Sequence, residues 1–356
     1  MSGEHPGSGG RPVLLVVEMH HLGDAVMAMP FLRGAMRGYE VHVACRAPVA
    51  RMLKSWMPDV GVVSGGWLRV AWRAREIRPA VAASVWADAR AQWVMALSGA
   101  GIRAGYPMTA VNYHAPQWAW RKRRLLAGRV LERMGFWTPG GKLLTRPVHR
   151  TNPEQHHLTS WNTVAEALQI RPEHDTPWFP VPPCPPDAAA FCAASRDRGR
   201  QILVVHAGAR LPTKSWPRDR FESLLQRLDG DPRVAVVVVY PPGEMPPRVC
   251  GRSQTTFQTP TFDALAGIIS AADIFLGNDS FAAHVAAALG KPALAIFGSG
   301  NPHWFAPGGE PGNVIATSSC PHRPCIDRCV MPSPVCLESV GVETVEYRLR
   351  EMLAHR

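Results

Sequence analysis

The chain has 356 residues, 46% hydrophobic and 19% charged, which is enough apolar material for a large core and too much for an intrinsically disordered protein. Its formal net charge is +11. No apolar run reaches the roughly 18 residues that cross a bilayer as a helix, because Glu18, His20 and His21 interrupt the strongest N-terminal stretch, so a helix-spanning membrane protein is excluded. At roughly 150 residues per domain, two or three units are expected. The first residues are Gly-rich and polar, without the basic start and apolar core of a secretory signal. Residence in the cytoplasm is therefore expected, and the eight cysteines read as thiols or ligands and not as disulfides.

In chain order, residues 13–17 form a short apolar run with β-branched members, followed by the turn His21-Leu22-Gly23-Asp24 and helical spacing over 25–36. Residues 41–44 and 81–85 read as further strands with helical stretches between them, and strands alternating with helices imply a parallel sheet. Six prolines over 177–186 break any helix or central strand and make a stiff connector. Beyond it the pattern restarts, with strands at 201–206, 234–240, 274–276 and 293–297 and helices at 218–228, 262–271 and 281–289. Ser280 can cap the last of these helices, and Gly290 and Pro292 end it. A final amphipathic helix, 342–353, is expected to pack back across the domains. The division is thus 1–183, 184–341 and a C-terminal helix in 342–356.

Charge separates the halves. Up to Pro183 there are 22 Lys and Arg against 12 Asp and Glu; beyond it there are 17 against 16. A one-sided positive field attracts polyanions, whether nucleic acid, an anionic membrane face or a phosphorylated substrate. Its densest part is Arg121-Lys122-Arg123-Arg124 with Arg129 and Arg133, interleaved with Trp118, Trp120, Leu125, Leu126, Val130, Leu131 and Phe136. That suits a basic amphipathic helix lying on an interface, and a solvated face is the plain alternative.

Two parallel-sheet units leave a cleft between the carboxyl ends of their strands, so loops after strands are where a site belongs. After the first strand, Gly23-Asp24 offers a carboxylate that could accept a proton or merely cap the helix that follows. In the second half, His206-Ala207-Gly208-Ala209 lets backbone approach a ligand, and Lys214 supplies a point charge for phosphate or for solvent. Gly277-Asn278-Asp279-Ser280 opens a helix whose amides could hold a diphosphate. An anion there would be repelled, so Asp279 should face sugar hydroxyls or act as a cap. Glu244, just past a strand end, is placed to accept from ribose hydroxyls, and His284 reads more readily as a packed side chain.

There is no G-x-G-x-x-G after a strand and no G-x-x-x-x-G-K-[ST], which weakens both a dinucleotide oxidoreductase and a P-loop phosphotransferase. Asp229-Gly230-Asp231 lies in a turn before Pro232, a better loop than metal site, so no catalytic divalent ion is inferred. Cys320, Cys325, Cys329 and Cys336 could bind structural zinc or iron, although their spacing matches no familiar zinc knuckle; reduced thiols in a Pro-rich loop are the alternative.

Taken together and in this order, Leu22-Gly23-Asp24 with Pro30 and Leu32, His206 to Ala209 with Lys214, Trp216-Pro217 and Phe221, Glu244, and Gly277 to Ser280 with His284 resemble glycosyltransferase family 9, the ADP-heptose:lipopolysaccharide heptosyltransferases. The resemblance implies a GT-B fold: two Rossmann-like, doubly wound parallel-sheet domains facing a cleft, the first binding acceptor and the second nucleotide-sugar. It implies inverting, metal-independent transfer in which Asp24 is the base and Lys214 steadies the departing diphosphate with amides near Ser280. Glu244 would hold the nucleoside and Asp279 the sugar, with His206, Gly208, Ala209, Asn278 and His284 around the donor. The basic first half would meet an anionic glycolipid at the inner membrane face, with no role for nucleic acid. The cysteine tail is reminiscent of protein-modifying relatives in which such a motif holds iron, so a protein acceptor stays open, as does a silent nucleotide-sugar-binding assembly protein. One departure is Phe281, where the family usually has Gly; it puts a bulky ring where a phosphate or sugar is expected to approach.

Overall fold

A computed structural model of the chain describes residues 10–107, 142–150, 152, 154–317, 320–325 and 329–355. The first sheet contains β1 (Val13–Glu18), β2 (Glu40–Cys45), β3 (Gly61–Ser64), β4 (Val81–Ser84), β5 (Ile102–Gly105) and β6 (Arg146–Pro147), hydrogen-bonded in the order β3-β2-β1-β4-β5-β6. The second contains β7 (Gln201–His206), β8 (Val234–Tyr240), β9 (Gln254–Gln258), β10 (Ile274–Asn278), β11 (Ala293–Phe297) and β12 (Val314–Ala316), in the order β9-β8-β7-β10-β11-β12. All their pairings are parallel. Each sheet therefore has the doubly wound strand order, with a switch point where the first and fourth strands lie side by side and the loops that follow them part to opposite faces. This is the expected fold class, two Rossmann-like sheets of the GT-B type.

The central strands read as unbroken apolar runs because helices cover both of their faces. Leu14 and Val16 of β1 pack into one core, Leu15 and Val17 into another, and all four are fully buried. The strands that composition did not reveal, β3, β5, β6, β9 and β12, are short or polar; β9 reads Gln-Thr-Thr-Phe-Gln. The helices are α1 (Leu22–Met36), α2 (Ala47–Trp56), α3 (Trp67–Glu76), α4 (Ala89–Leu97), α5 (His157–Ala167), α6 (Pro186–Arg196), α7 (Arg218–Leu228), α8 (Phe262–Ser270), α9 (Phe281–Ala288) and α10 (Val342–Ala354), besides short helical turns. No helix among the described residues is long and apolar enough to cross a membrane.

The two units share one core. A continuous buried cluster runs from Val16 and Phe31 to Phe275 and Phe297, and α1 packs directly on α9. The Pro-rich connector is pinned to both: Trp178 N donates to Ala288 O at 2.9 Å, and Arg33 donates to Asp175 O and Pro177 O at 2.8 and 3.0 Å. An aromatic group reinforces the seam. Trp56 stacks on Phe179 at 4.1 Å and lies 5.9 Å from Phe281, while its indole N–H donates to Asp263 at 2.8 Å.

Two expectations need correction. Helix α10 does not return across the units in its described contacts: Val345, Leu349 and Leu353 bury beside Leu224, Leu225 and Leu228 of α7, and Arg227 pairs with Glu343 and Glu346. Its apolar stripe is consumed by the second unit. Phe281, instead of crowding a phosphate, belongs to the seam, edge-on to Phe262 at 5.5 Å.

Candidate active site

The switch point of the first sheet delivers four ionisable side chains. Glu18 ends β1 and is 1% exposed. Both its oxygens accept from the Trp86 indole N–H at 3.0 Å, and one accepts from His20 N at 3.2 Å. His20 Nε2 donates to Asp88 Oδ2 at 2.7 Å, and the ring lies over that of Trp86 at 3.9 Å between centroids. Asp88 also caps α4, accepting from Ala91 N at 2.9 Å. Burial alone would raise its pKa, but the bonds from His20 and Ala91 hold it below the ordinary carboxylate range.

Asp24 sits in the first turn of α1, which begins three residues earlier than periodicity suggested because the Asp24 carboxylate accepts from His21 N at 3.1 Å. It therefore does cap the helix. Yet it is only 7% exposed, and burial pushes its pKa up to about 6 despite the opposing pull of His20, the His21 amide and Lys214. Asp279 pushes it further up. Glu18 is raised well above its usual value, first by burial and then by Asp24. Two buried carboxylates thus oppose one another's ionisation.

Lys214 and Asp279 belong to the second unit; the His284 ring of that unit packs against Gly23, next to Asp24, and the charges of Lys214 and Asp279 act on Asp24, so the two switch points converge. Lys214 ends a short 3-10 turn, Pro212–Lys214, and its Nζ is 2.9 Å from Asp279 Oδ2. That loop is seated by close backbone approach. A Cβ at Gly298 would stand 2.3 Å from Thr213 O, and one at Gly300 would stand 2.3 Å from Asp279 Oδ2. Asn278, fully buried, ties the surrounding loops together: Nδ2 donates to Ala207 O at 2.6 Å and Oδ1 accepts from Trp216 N at 3.0 Å. Its amide is committed to scaffolding.

Ser280 occupies the N-cap of α9, but its hydroxyl makes no capping bond and is buried without a partner. His284, one turn on, packs its ring onto the backbone of Gly23, where a Cβ would lie 2.7 Å from Cδ2. Burial pushes His284 and His206 down to about 4, so both are neutral, and each has a buried Nδ1 without a partner. Such orphaned atoms are costly unless a ligand or water completes them. Glu244 is largely exposed and lies over Gly208, with Oε2 2.4 Å from where a Cβ would be; burial of part of its carboxyl raises its pKa. Ala209 is half-buried in the same loop.

The remaining candidates fall elsewhere. Arg121, Lys122, Arg123 and Arg124 lie outside the described residues. Cys320, Cys325 and Cys336 are buried and Cys329 half-buried, all as free thiols. Cys325 is pushed up to about 11, first by burial and then by the other three, so the four lie near one another. Among the described residues, however, no group of three or more His, Cys, Asp or Glu could hold a metal ion. Instead the segment braces the loop that carries Gly298 and Gly300: Cys325 N donates to Ser299 O at 3.1 Å, and Arg323, set among the thiols, donates to Gly300 O at 3.2 Å. Sequence reasoning missed Glu18, His20, Asp88 and Trp86 as site residues; the one available signal was a charged residue breaking an apolar strand.

No curated protein matches the chain by sequence. Among solved structures, it is similar to ADP-heptose lps heptosyltransferase II of E. coli, 17% identical over 97% of this chain and 99% of that one, with a TM-score of 0.62. It is similar to the family 9 glycosyl transferase of Veillonella parvula, 15% identical over 99% and 100%, with a TM-score of 0.64. A third similarity, 12% identical over 97% of this chain and 77% of that one with a TM-score of 0.52, is to the iron-containing dodecameric glycosyltransferase TibC of enterotoxigenic E. coli. At these identities the likeness establishes the fold. A family model, in contrast, matches residues 133–333, more than half of the sequence, and by that match the chain belongs to glycosyltransferase family 9, the heptosyltransferases.

Proposed function

We propose that this glycosyltransferase moves a heptose from ADP-heptose, with inversion, to a hydroxyl of an anionic lipopolysaccharide-core or related surface-glycan acceptor. The observation that carries the reading is the meeting of Asp24, from the first switch point, with the Lys214–Asp279 pair from the second. Asp24 takes the acceptor hydroxyl proton; the oxygen attacks the anomeric carbon; the bond from that carbon to the diphosphate breaks, and its electron pair leaves with the nucleotide. Lys214 answers the charge growing on the leaving group, together with the amides that open α9. These groups supply the positive charge a metal would otherwise bring, so transfer is metal-independent in this scheme. Asp279 stands where it can accept from sugar hydroxyls while holding Lys214 in place. Glu244, over Gly208, accepts from the nucleoside, and Ser280, His206 and His284 offer the partnerless polar atoms that a donor would complete. Asn278 contributes by fixing the loops around this pocket. On this reading the basic first half attracts the anionic acceptor.

The test is Asp24→Asn, which removes the base and keeps its shape. Transfer should fall by about 10²–10⁴-fold while donor binding, read as thermal stabilisation by nucleotide sugars, is preserved. Undiminished transfer by this variant rejects Asp24 as the base. Lys214→Ala should weaken both nucleotide affinity and rate, and unchanged affinity by calorimetry would count against its phosphate role.

A further inference from the structure

Helices α3 and α4 cover the face of the first sheet opposite the seam between the units. Their inner sides are ordinary core: Val70, Ala71, Ala74, Ala91, Val94 and Met95 pack against Leu15, Val17 and Ala82. Their outer sides are not ordinary. On α3, Leu68 and Trp72 are four residues apart, hence on one stripe, and are 63% and 64% exposed. On α4, which packs beside α3, Trp93 and Leu97 repeat that spacing at 37% and 41% exposure. With Trp67 at 39%, these are five of the nine large exposed apolar side chains among the described residues. The concentration is therefore local. A soluble helix normally carries charge where α3 carries Leu68 and Trp72.

The charges around the stripe are predominantly positive. Arg69 and Arg73 run along one flank, Arg75 lies on the other, Arg78 follows the helix and Arg90 opens the outer side of α4; all are exposed. Glu76 is the one acidic residue within the two helices. A second copy of this surface would set arginine against arginine, whereas an anionic sheet of phosphates would satisfy them all. Tryptophan and leucine flanked by arginine are the side chains that suit the boundary between headgroups and acyl chains.

We propose that the outer face of α3 and α4 docks the protein on a bilayer surface containing anionic lipid. Leu68, Trp72, Trp93 and Leu97 enter the headgroup region, and Arg69, Arg73 and Arg90 hold phosphates. Both helices begin at the carboxyl edge of the sheet, the edge that carries Asp24, and α4 begins at Asp88, which holds His20. Docking here therefore deepens the proposed function, and rests on it only in supposing that a lipid-linked acceptor reaches Asp24 from the same bilayer.

The experiment is flotation of the purified chain with vesicles of phosphatidylcholine alone or with about 30% phosphatidylglycerol, at about 0.05 and 0.5 M salt. Wild type should partition onto the anionic vesicles and be at least about tenfold weaker on neutral vesicles or at high salt. At about 1 kcal/mol for each arginine near the surface, Arg69→Gln with Arg73→Gln should lower partitioning by about 30-fold. Leu68→Ser with Trp72→Ser should lower it by about tenfold or more. Every changed side chain is exposed, and unaltered stabilisation by ADP would show that the fold and the donor side are intact in both variants. Three results overturn the proposal: no binding of wild type to anionic vesicles, full binding by both double variants, or a wild-type dimer that Leu68→Ser with Trp72→Ser dissociates. The second would place the contact elsewhere, such as Arg121 to Arg124. Because flotation needs no turnover, an active Asp24→Asn enzyme would sink the catalytic reading and leave this one standing.

Discussion

Placing a carboxylate at position 24 should cost the protein stability, and removing its charge should return it. The unfolded chain ionises Asp24 at an ordinary 3.8, whereas burial in the folded protein pushes it up to about 6. The folded state therefore binds this proton more tightly than the unfolded one. Asp24 favours folding below pH about 4, and that contribution is lost as pH climbs through about 6. At about 1.4 kcal/mol per pH unit, the gap of about two units amounts to about 3 kcal/mol of destabilisation at pH 8. Asp24→Asn keeps an oxygen to accept the His21 amide and carries no charge, so at pH 8 the variant should be more stable than wild type by up to that amount. At about 2 °C per kcal/mol for a chain of this size, its Tm would rise by up to about 6 °C. The advantage should shrink as pH falls, to about 0.5 kcal/mol at pH 4, and vanish below about pH 3, where Asp24 is protonated in both states. Thermal unfolding of both proteins across pH 4–8, beside transfer assays, reads both effects. A variant that is less stable at pH 8, or a difference that does not change with pH, would refute the reasoning. The same ionisation should give kcat/KM an acid limb near pH 6, falling about tenfold per unit below it.

Gly300→Ala would drive a methyl to within 2.3 Å of Asp279 Oδ2 and dislodge the partner of Lys214, so donor affinity should fall at least about tenfold while circular dichroism is unchanged. Normal affinity would show the pair to be dispensable. Asn278→Ala removes the link between Ala207 O and Trp216 N in a fully buried site, and chemical denaturation should report a loss of about 2–4 kcal/mol; a loss under 1 kcal/mol would mean the loops are held otherwise. Glu18→Ala strips the Trp86 indole of its acceptor and should destabilise by about 1–3 kcal/mol, whereas Glu18→Gln, which retains an acceptor, should restore most of it. Alkylation of Cys325 should stay slow until pH approaches 11, because burial and then its neighbouring thiols keep it protonated; rapid labelling at pH 8, located by mass spectrometry, would contradict that environment.

The sequence by itself determined the class of fold and where to look. Unbroken apolar runs such as Val234–Tyr240 could only be strands covered on both faces, and their alternation with amphipathic helices leaves few alternatives to a doubly wound sheet. Because ligands collect at the carboxyl ends of such strands, Asp24, Lys214 and Asp279 could be singled out from local turns alone. The tertiary structure alone decided what those residues touch. Glu18 meets Trp86, and His20 meets Asp88, across 68 positions of sequence, because β4 lies beside β1 and not because of any motif. Phe281 looked like an intruder in a phosphate site and instead closes the seam with Trp56, since a side chain at a helix start can face either a ligand or the neighbouring unit. Asn278, expected around the donor, also ties two loops together, a role that no local turn announces. Local periodicity fixes which elements form and which way each one faces. Burial, pairing and the ionisation of a carboxylate depend on what a distant segment brings within a few ångströms, and that is settled only when the chain has packed.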